Sequence, residues 1–327
     1  MIRTVCALAC VLAVAVWNAP ACGASPNGAS TPRIFAPGRI SGPGGDGAPA
    51  FLPNGRTLFF SRSGPNGTLS VILESALMGK QWSEPKVASF SGTWYDSSPA
   101  VAPDGSYLIF QSARPSEAAA GSSSQPAKRA SHLWRVDANK GGWSAPRELP
   151  ESVNISGQIY RPSIAANGNL YFISRESRNE KFRMYRSVHR DGVYQPAQAL
   201  PFSDGSTLDV DPEIAPDESF ILFASAGRQP FSDDHEHLYI VFRKGESWGS
   251  VTPLRYEGDD WPGSTTDDDP RLSRDGKVIY FSSDRTPPVH YPMEAAAAKE
   301  VLDRVTVWDT GLTNVWELDF NPAVFRP

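Results

Sequence analysis

The sequence is short of cysteine, of long apolar runs and of clustered basic residues. Its three cysteines lie within the first 22 residues, so the rest of the chain can form no disulfide, thiolate nucleophile or cysteine metal site. After the N-terminal segment, no apolar run reaches the roughly 20 residues that a membrane-spanning helix needs. The formal net charge is -5. Without a cluster of Lys and Arg, nucleic acid is not an expected partner.

The N-terminal segment 1–24 has the pattern of a signal peptide. Arg3 supplies a positive charge, an apolar stretch follows from residue 5 to 17, and small residues precede Cys22. This pattern predicts an exported protein, periplasmic or secreted, with residues 25–32 as a linker. Cys22 is an alternative point of lipid attachment, which would make the protein an outer-membrane lipoprotein, although the residues before it depart from the usual lipobox.

Glycine and proline, with 27 and 29 copies, are abundant and indicate the many turns of an all-β chain. Five segments share a proline, an Asn or Asp five residues later that is usually followed by Gly, and then an apolar strand with a Phe. These repeats are 48–62, 98–112, 161–174, 211–225 and 269–283. Their period of about 50 to 60 residues is typical of one four-stranded propeller blade.

The sequence also supplies the outer strands of each blade. A third strand such as "HLWRVD" follows each hairpin, and then an outer strand with an aromatic residue and a proline, as in "GWSAPREL". Proline is tolerated there because an edge strand has one unpaired side. The fifth hairpin is followed only by "NVWELDF" (Asn314 to Phe320), whereas "RIFAPGRIS" (Arg33 to Ser41) precedes the first hairpin.

We therefore predict an all-β fold with a single domain over 33–327. It is a five-bladed β-propeller of four-stranded antiparallel blades, closed by an N-terminal strand that completes the C-terminal blade. Two insertions interrupt the repeats. The segment 114–131 consists mostly of small and polar residues, which predicts a flexible loop. Met293 to Val305 has the composition of a helix.

The spacing of Pro, Asp-Gly and Phe resembles the WD40-like repeats called PD40, best known from the propeller of the periplasmic TolB family. The resemblance covers nearly the whole mature chain and implies a TolB-like propeller. It is specific for the fold rather than the function, because similar repeats occur in peptidase propellers, lyases and other envelope proteins. The chain departs from TolB in having five repeats rather than six blades, and nothing ahead of Arg33 matches TolB's separate N-terminal domain.

Strand alternation predicts which residues of each innermost strand face the central channel. The residue two beyond each proline is apolar, so this face should pack between blades. The opposite face then places in the channel the residues three before, one before and one after the proline. In the last three repeats the charged residues at these positions are Arg161, Asp209, Asp211, Glu213, Asp267, Asp269 and Arg271.

These seven residues form the predicted ligand-binding site, because a concave mouth with converging polar groups is the usual place for one. Two interpretations stay open. Crowded carboxylates raise one another's pKa and suit a sugar, a peptide, a divalent cation or acid–base catalysis. Alternatively, the acids cap strand-entry turns and the arginines neutralise them, which plugs the channel. Direct pairing of Arg161 and Arg271 with the acids would argue against catalysis.

The sequence favours a non-enzymatic propeller that binds an envelope protein or a glycan through its channel mouth and loops. The protein is expected to be a monomer without a cofactor, and no catalytic residue is assigned. The alternative is a glycoside hydrolase with two opposed carboxyls about 5 to 10 Å apart. Whether the acids hold a metal is left open, because His235-Glu236-His237 lacks the spacing of a zincin. The recurrence of Trp82, Trp143 and Trp248 predicts blade packing rather than sugar stacking.

Overall fold

The computed structural model describes residues 30–116, 130–231, 233–256 and 265–326. The predicted signal peptide, Cys22, most of the linker and the middle of the 114–131 insertion lie outside these residues. None of the described helices is long and apolar enough to cross a membrane.

The described strands form five antiparallel blades and one small ribbon. The first strand, β1 (Arg33–Ile34), joins the last blade. Blade 1 contains β2 (Gly45–Phe51), β3 (Thr57–Ser63), β4 (Ser70–Met78), β5 (Gln81–Trp82) and β6 (Lys86–Val87). Blade 2 contains β7 (Asp96–Val101), β8 (Tyr107–Ser112), β9 (His132–Asn139), β10 (Gly142–Trp143) and β11 (Arg147–Glu148). Blade 3 contains β12 (Ile159–Ile164), β13 (Leu170–Ser174), β14 (Arg183–Ser187) and β17 (Gln198–Ala199), with the ribbon β15 (His189–Arg190) and β16 (Val193–Tyr194) beside it. Blade 4 contains β18 (Leu208–Ile214), β19 (Phe220–Ala226), β20 (His237–Lys244) and β21 (Ser247–Pro253). Blade 5 contains β22 (Asp267–Leu272), β23 (Val278–Ser283), β24 (Asn314–Asp319) and β1.

The prediction of an all-β propeller with five four-stranded blades is confirmed. The predicted helix is also confirmed, as α1 (Ala295–Val307), and two short 3-10 helices lie at Pro65–Gly67 and Pro322–Phe325. Prolines break the outermost strand of blades 1 to 3 into two short pieces. In blades 1 and 2 both pieces still pair with the third strand of the blade, as the unpaired side of an edge strand permits.

Blade 5 takes strands from the beginning and the end of the described chain. The strand β1 pairs antiparallel with β24, and Arg33 Nη2 lies 3.0 Å from Asp319 Oδ1 across this pair. The paired part of segment 33–41 is short. The Phe35 N–H still donates to the Val315 carbonyl at 2.9 Å. Ala36 and Gly38 then take left-handed φ angles of 44° and 75°, which turns the chain away from the sheet.

The five hairpin turns that join first and second strands share one geometry. In each turn the Asn or Asp five residues after the proline accepts a backbone N–H bond from the residue two positions on, at 2.8 to 3.2 Å. The residue between them has a left-handed φ, which Gly adopts without strain and which four of the repeats fill with Gly. The fourth repeat has Glu218 there, at φ 59°. Its carboxylate accepts a bond of 2.6 Å from the Tyr171 hydroxyl and thereby links blades 3 and 4.

The second strand of every blade carries a Phe that is fully buried, as the repeat predicts. Each of these side chains has 0% of its surface exposed, and they are Phe60, Phe110, Phe172, Phe223 and Phe281. Burying a Phe side chain contributes about 1.5 to 3 kcal/mol, so the five copies are a main source of blade stability.

The innermost strands β2, β7, β12, β18 and β22 each contain a bulge directly before the proline. The residue at this point has a left-handed φ between 49° and 59°, and the pairing with the second strand shifts register there. The five bulged residues are Ala48, Ser98, Arg161, Asp211 and Asp269. A bulge interrupts the alternation of side chains, so positions before and after it do not follow one period of two.

Candidate binding site at the acidic mouth of the channel

The innermost strands give the channel two mouths, one at each end of these strands. The N-terminal ends line a cavity of about 460 Å3, which we call the acidic mouth. One side of its lining, from blades 1 and 2, is mostly small and polar, with Gly47, Ser61 and Ser97, and also includes Tyr95. The other side, from blades 3 to 5, carries the charged and aromatic residues Arg161, Asp211, Asp268, Asp269, Glu236, Tyr160 and Phe182.

Three carboxylates and one guanidinium meet at this mouth. One carboxylate oxygen from each of Asp211, Asp268 and Asp269 lies within 4.8 Å of the others. Arg161 Nε is 3.0 Å from Asp211 Oδ1, and Arg161 Nη1 donates to the Asp269 carboxylate. The Asp269 backbone N–H donates to Asp211 Oδ2 at 3.2 Å. Three acids are thus compensated by one base.

Burial sets the charge of this cluster. Burial raises the pKa of Asp211 to about 6, with Arg161 lowering it and Asp269 raising it further. Burial, followed by the charges of Asp269 and Asp211, raises the pKa of Asp268 well above its ordinary value. Burial alone would lower the pKa of Arg161, but its acidic neighbours outweigh this effect and raise the pKa.

Asp268 has no arginine partner of its own among the described contacts. Its Oδ1 atom is buried and has no hydrogen-bond partner among the described residues. An unpaired buried oxygen costs roughly 1 to 3 kcal/mol. Burial and the neighbouring acids therefore raise the pKa of Asp268 and shift it toward its neutral form relative to an exposed aspartate.

Glu213 and Arg271, one residue beyond the prolines, lie deeper in the channel. Arg271 Nη1 is 3.6 Å from Glu213 Oε2, and Glu213 accepts bonds from Ser163 Oγ at 2.8 Å and from Leu272 N at 3.0 Å. The Arg271 guanidinium also donates to the Pro270 carbonyl at 3.1 Å. Burial raises the pKa of Glu213, against the lowering effect of Arg271. This pair faces the other end of the channel rather than the acidic mouth.

Asp209 and Asp267 lie inside the blades, away from the acidic cluster. Asp209 pairs with Arg228 at 2.8 Å, and Asp267 pairs with Arg285 at 2.5 Å; both acids are at most 3% exposed. Equivalent pairs fix the entry to blades 1 and 2, where Asp46 meets Arg62 at 2.6 Å and Asp96 meets Arg114 at 3.1 Å. Four blades therefore use the acid three before the proline as a structural ion pair.

Blade 3 is the exception, and its difference shapes the acidic mouth. Ile159 replaces the acid, so Arg175 instead donates to Gln158 Oε1 at 2.8 Å. The Arg175 guanidinium lies 4.4 Å from the Phe182 ring centroid, and Phe182 packs edge-on against Tyr160 at 5.4 Å. Without this ion pair, the Arg175 side chain packs on Phe182 instead, and Arg175, Phe182 and Tyr160 form one wall of the mouth.

The structure brings three of the seven predicted residues together at the acidic mouth: Arg161, Asp211 and Asp269. The prediction from strand alternation did not include Asp268 in the site, because it placed this side chain on the face that packs between blades. The bulge at Asp269 turns Asp268 into the channel and Asp267 into the blade. The three consecutive acids in the sequence could have indicated a further site residue. They do not indicate which of the three lacks an arginine partner.

The other candidate residues have packing roles in the described part of the chain. His237 stacks on Phe231 with centroids 3.9 Å apart and bonds to Asp233 at 2.9 Å. Trp143 packs edge-on against Phe59 at 5.5 Å, and Trp248 packs against Phe202 at 5.8 Å. Trp82 packs against Phe51 at 6.0 Å and also lines the second cavity of the channel.

The sequence matches no protein-family model, and no curated protein matches it. Among solved structures, a protein of unknown function from Dyadobacter fermentans is 12% identical with a TM-score of 0.51, over 90% of this chain and 99% of its own. A GH43_1 enzyme from Xanthomonas citri is 9% identical with a TM-score of 0.47, over 90% and 92% of the two chains. A prolyl endopeptidase is 16% identical with a TM-score of 0.39; the match covers 74% of this chain, which spans 32% of that protein. The first similarity shows a shared fold alone.

Proposed function

We propose that this five-bladed propeller is an exported, non-enzymatic binding module, and that its acidic mouth takes a cationic group of an envelope protein or a glycan. The observation that carries the proposal is the excess of acid at the mouth, whose charged lining residues are four acids and two bases: Asp211, Glu236, Asp268, Asp269, Arg161 and Arg175. Arg161 can neutralise one charge among Asp211, Asp268 and Asp269, and the Asp268 Oδ1 atom has no donor among the described residues. An ammonium or guanidinium group in the mouth would compensate the excess negative charge and donate to the accessible carboxylate oxygens.

The geometry of the acids supports binding rather than hydrolysis. Glycosidases hold two carboxyls about 5 to 5.5 Å or about 6.5 to 9.5 Å apart, with the sugar between them. Here the closest oxygens of the three acids lie within 4.8 Å of one another. Arg161 joins Asp211 and Asp269 directly, so these two cannot stand on opposite sides of a substrate.

The walls of the acidic mouth fit an extended polar ligand. Tyr160 and Phe182 supply an aromatic surface on one side, and Ser61 and Ser97 supply hydroxyls on the other. A cavity of about 460 Å3 falls in the range of roughly 300 to 1,000 Å3 that small ligands and side chains occupy. The PD40-like spacing and the N-terminal pattern support the exported, TolB-like part of the proposal.

Two parallel screens test this function and distinguish the two sources of the cation. Purified wild type is applied to immobilised peptides rich in Lys or in Glu, and to a glycan array with amino sugars and neutral sugars. We expect retention on Lys peptides or on amino sugars, weakened by salt because exposed charges are screened. Equal retention on Lys and Glu peptides, with no preference for amino sugars, would contradict the proposal.

The matched variants are Asp268→Asn and Glu151→Gln, each of which removes one acid. Glu151 is exposed and does not line the acidic mouth. We expect Asp268→Asn to weaken binding roughly tenfold, about the effect of one charge-assisted hydrogen bond, and Glu151→Gln to bind like wild type. Binding that is identical in both variants would move the site away from this cluster.

One observation favours the hydrolase alternative. A buried carboxyl with a raised pKa, such as Asp268, is the form that a general acid takes. Aryl glycosides that release a coloured phenol on cleavage test this activity directly. Release by wild type that Asp268→Asn abolishes would replace the binding proposal with an enzymatic one.

A further inference from the structure

The C-terminal ends of the innermost strands enclose a second cavity, of about 420 Å3, which we call the apolar mouth. Its wall between blades 1 and 5 is aromatic, and the rings of Phe35, Phe51, Trp82 and Tyr280 pack against one another. The Phe51 and Tyr280 centroids are 4.7 Å apart, and those of Phe35 and Tyr280 are 5.0 Å apart at a steep angle. All four side chains are only partly buried, so each keeps a free surface toward the cavity.

Much of the remaining lining is aliphatic. Leu52, Val101, Ile164, Ile214 and Leu272 come from the five innermost strands or their turns and point into the same space. Ligand sites for small molecules are of this kind, mostly apolar with a few polar groups that fix orientation. The apolar mouth is therefore suited to the body of a small apolar or aromatic molecule.

The polar groups at this mouth carry a net positive charge. Among its lining residues, Arg271 and Arg274 are basic and Glu213 is acidic. Arg271 is 4% exposed, and its Nε atom is buried without a hydrogen-bond partner among the described residues. Arg274 is exposed at the rim, where one of its Nη atoms donates to the Pro53 carbonyl. The exposed Arg274 guanidinium is the basic group that an anion in this cavity can reach, and the Arg271 charge adds to the positive potential there.

We propose that the apolar mouth is a second binding site, separate from the acidic mouth, for a small aromatic molecule with one anionic group. The ring body lies against the aromatic wall, and the anion lies toward Arg271 and Arg274. Charge complementarity selects this ligand, because a cation would meet two arginines against one acid and a neutral body would leave the exposed Arg274 guanidinium without an anion.

Two fluorescent probes with similar ring systems test the charge requirement. The anionic probe is 8-anilinonaphthalene-1-sulfonate, and the neutral probe is N-phenyl-1-naphthylamine. We expect the anion to bind one site per chain, with energy transfer from Trp82 at the cavity wall, and to bind roughly tenfold more tightly than the neutral probe. Equal affinity for the two probes, or many weak sites, would overturn the proposal.

Variants then locate the site. Arg274→Gln should lower the affinity for the anionic probe several-fold and leave the affinity for the neutral probe unchanged. The matched control is Lys277→Gln, because Lys277 is an exposed base on the same hairpin that does not line this cavity. Val101→Phe adds a ring to the half-buried wall and should displace both probes. If Val101→Phe fails to fold, the comparison of Arg274→Gln with Lys277→Gln still decides the question.

Sedimentation of the unliganded protein completes the test. A second copy of the chain could instead cover the aromatic wall, and this would appear as a dimer that the anionic probe dissociates. A monomer that binds one anion supports the proposal. A dimer, or a probe signal that Arg274→Gln does not change, contradicts it.

Discussion

At the acidic mouth, the innermost strands present Arg161, Asp211, Asp268 and Asp269 around a cavity of about 460 Å3. At the apolar mouth, the same five strands present aliphatic side chains and Phe51, and three further rings from outside these strands, Phe35, Trp82 and Tyr280, complete the wall of a cavity of about 420 Å3. The repeats that build both ends have the same turn, the same bulge and the same buried Phe. The shared scaffold therefore does not determine the chemistry of either end, which depends on side chains near each proline and on neighbouring segments such as those of Trp82 and Phe182.

The asymmetry also runs around the ring. Directly before the proline, blades 1 and 2 have Ala48 and Ser98, whereas blades 3 to 5 have Arg161, Asp211 and Asp269. All five adopt the same left-handed backbone, which costs a non-glycine residue roughly 1 kcal/mol or more. In the proposed binding function, the small residues would leave room for a ligand and the charged residues would supply the groups that hold it. One bulge geometry thus serves both halves of the acidic mouth.

The largest expected effect comes from removing the base of the acidic mouth. Arg161→Met leaves Asp211 and Asp269 buried without their partner, and should lower the free energy of unfolding by about 3 to 5 kcal/mol at pH 7. The loss should shrink as the pH falls to 5, because protonation removes the uncompensated charges. Urea unfolding at both pH values measures this.

The apolar mouth supplies the control for that variant. Arg274→Met removes an exposed rim arginine there and should change the free energy of unfolding by no more than about 0.5 kcal/mol. If the two variants lose similar amounts of unfolding free energy, the stability of the two mouths does not differ in its dependence on an arginine.

A smaller effect is expected at the pair between the mouths. Arg271→Met leaves Glu213 without its cation and should cost about 2 to 3 kcal/mol at pH 7. Adding Glu213→Gln should recover at least about 1 kcal/mol, because the two side chains are coupled. A double-mutant cycle measured by urea unfolding gives the coupling energy. A coupling near zero would mean that the carbonyl contacts of Arg271, rather than Glu213, hold it in place.

The smallest effect is a gain in stability. Asp268→Asn should raise the free energy of unfolding by about 0.5 to 2 kcal/mol at neutral pH, because burial opposes the ionised carboxylate. The folded pKa of Asp268 lies above the unfolded value, so wild type loses stability as the pH rises from about 4 toward the folded pKa. The advantage of the variant should therefore grow over the same range in thermal melts.

The same variant separates stability from function at the acidic mouth. Asp268→Asn should be more stable and yet bind a cationic ligand more weakly. Binding by wild type should strengthen as the pH rises, because a cation favours the ionised carboxylate. A variant that is less stable than wild type at pH 7 would mean that Asp268 is already ionised and paired.

Much of the fold could be predicted from local sequence. The Asn-Gly and Asp-Gly turns require a left-handed residue, and four of the five repeats supply Gly. The fourth repeat shows the limit of this rule. Glu218 takes the same backbone conformation because its buried carboxylate accepts bonds from Tyr171 and from Arg243 in the neighbouring strands. No local pattern contains that compensation, since its partners lie far away in the sequence.

The candidate site could be predicted only in part. Alternation identified Arg161, Asp211 and Asp269, which lie at the bulge itself, but it placed Asp209 and Asp267 in the channel, and both are buried with arginines. Each of these arginines follows the second strand of its own blade. The pairing therefore depends on how the hairpin closes rather than on any spacing within the innermost strand.

The sequence by itself determined the period, the hairpin turns, the buried Phe of each blade and hence the number of blades, because these depend on local backbone preferences and repeated apolar burial. Only the tertiary structure decided which of three consecutive acids is free at the channel. A bulge of one residue reverses the side to which the strand's side chains point. That reversal places Asp267 beside Arg285 and leaves Asp268, partly buried, in the lining of the acidic mouth.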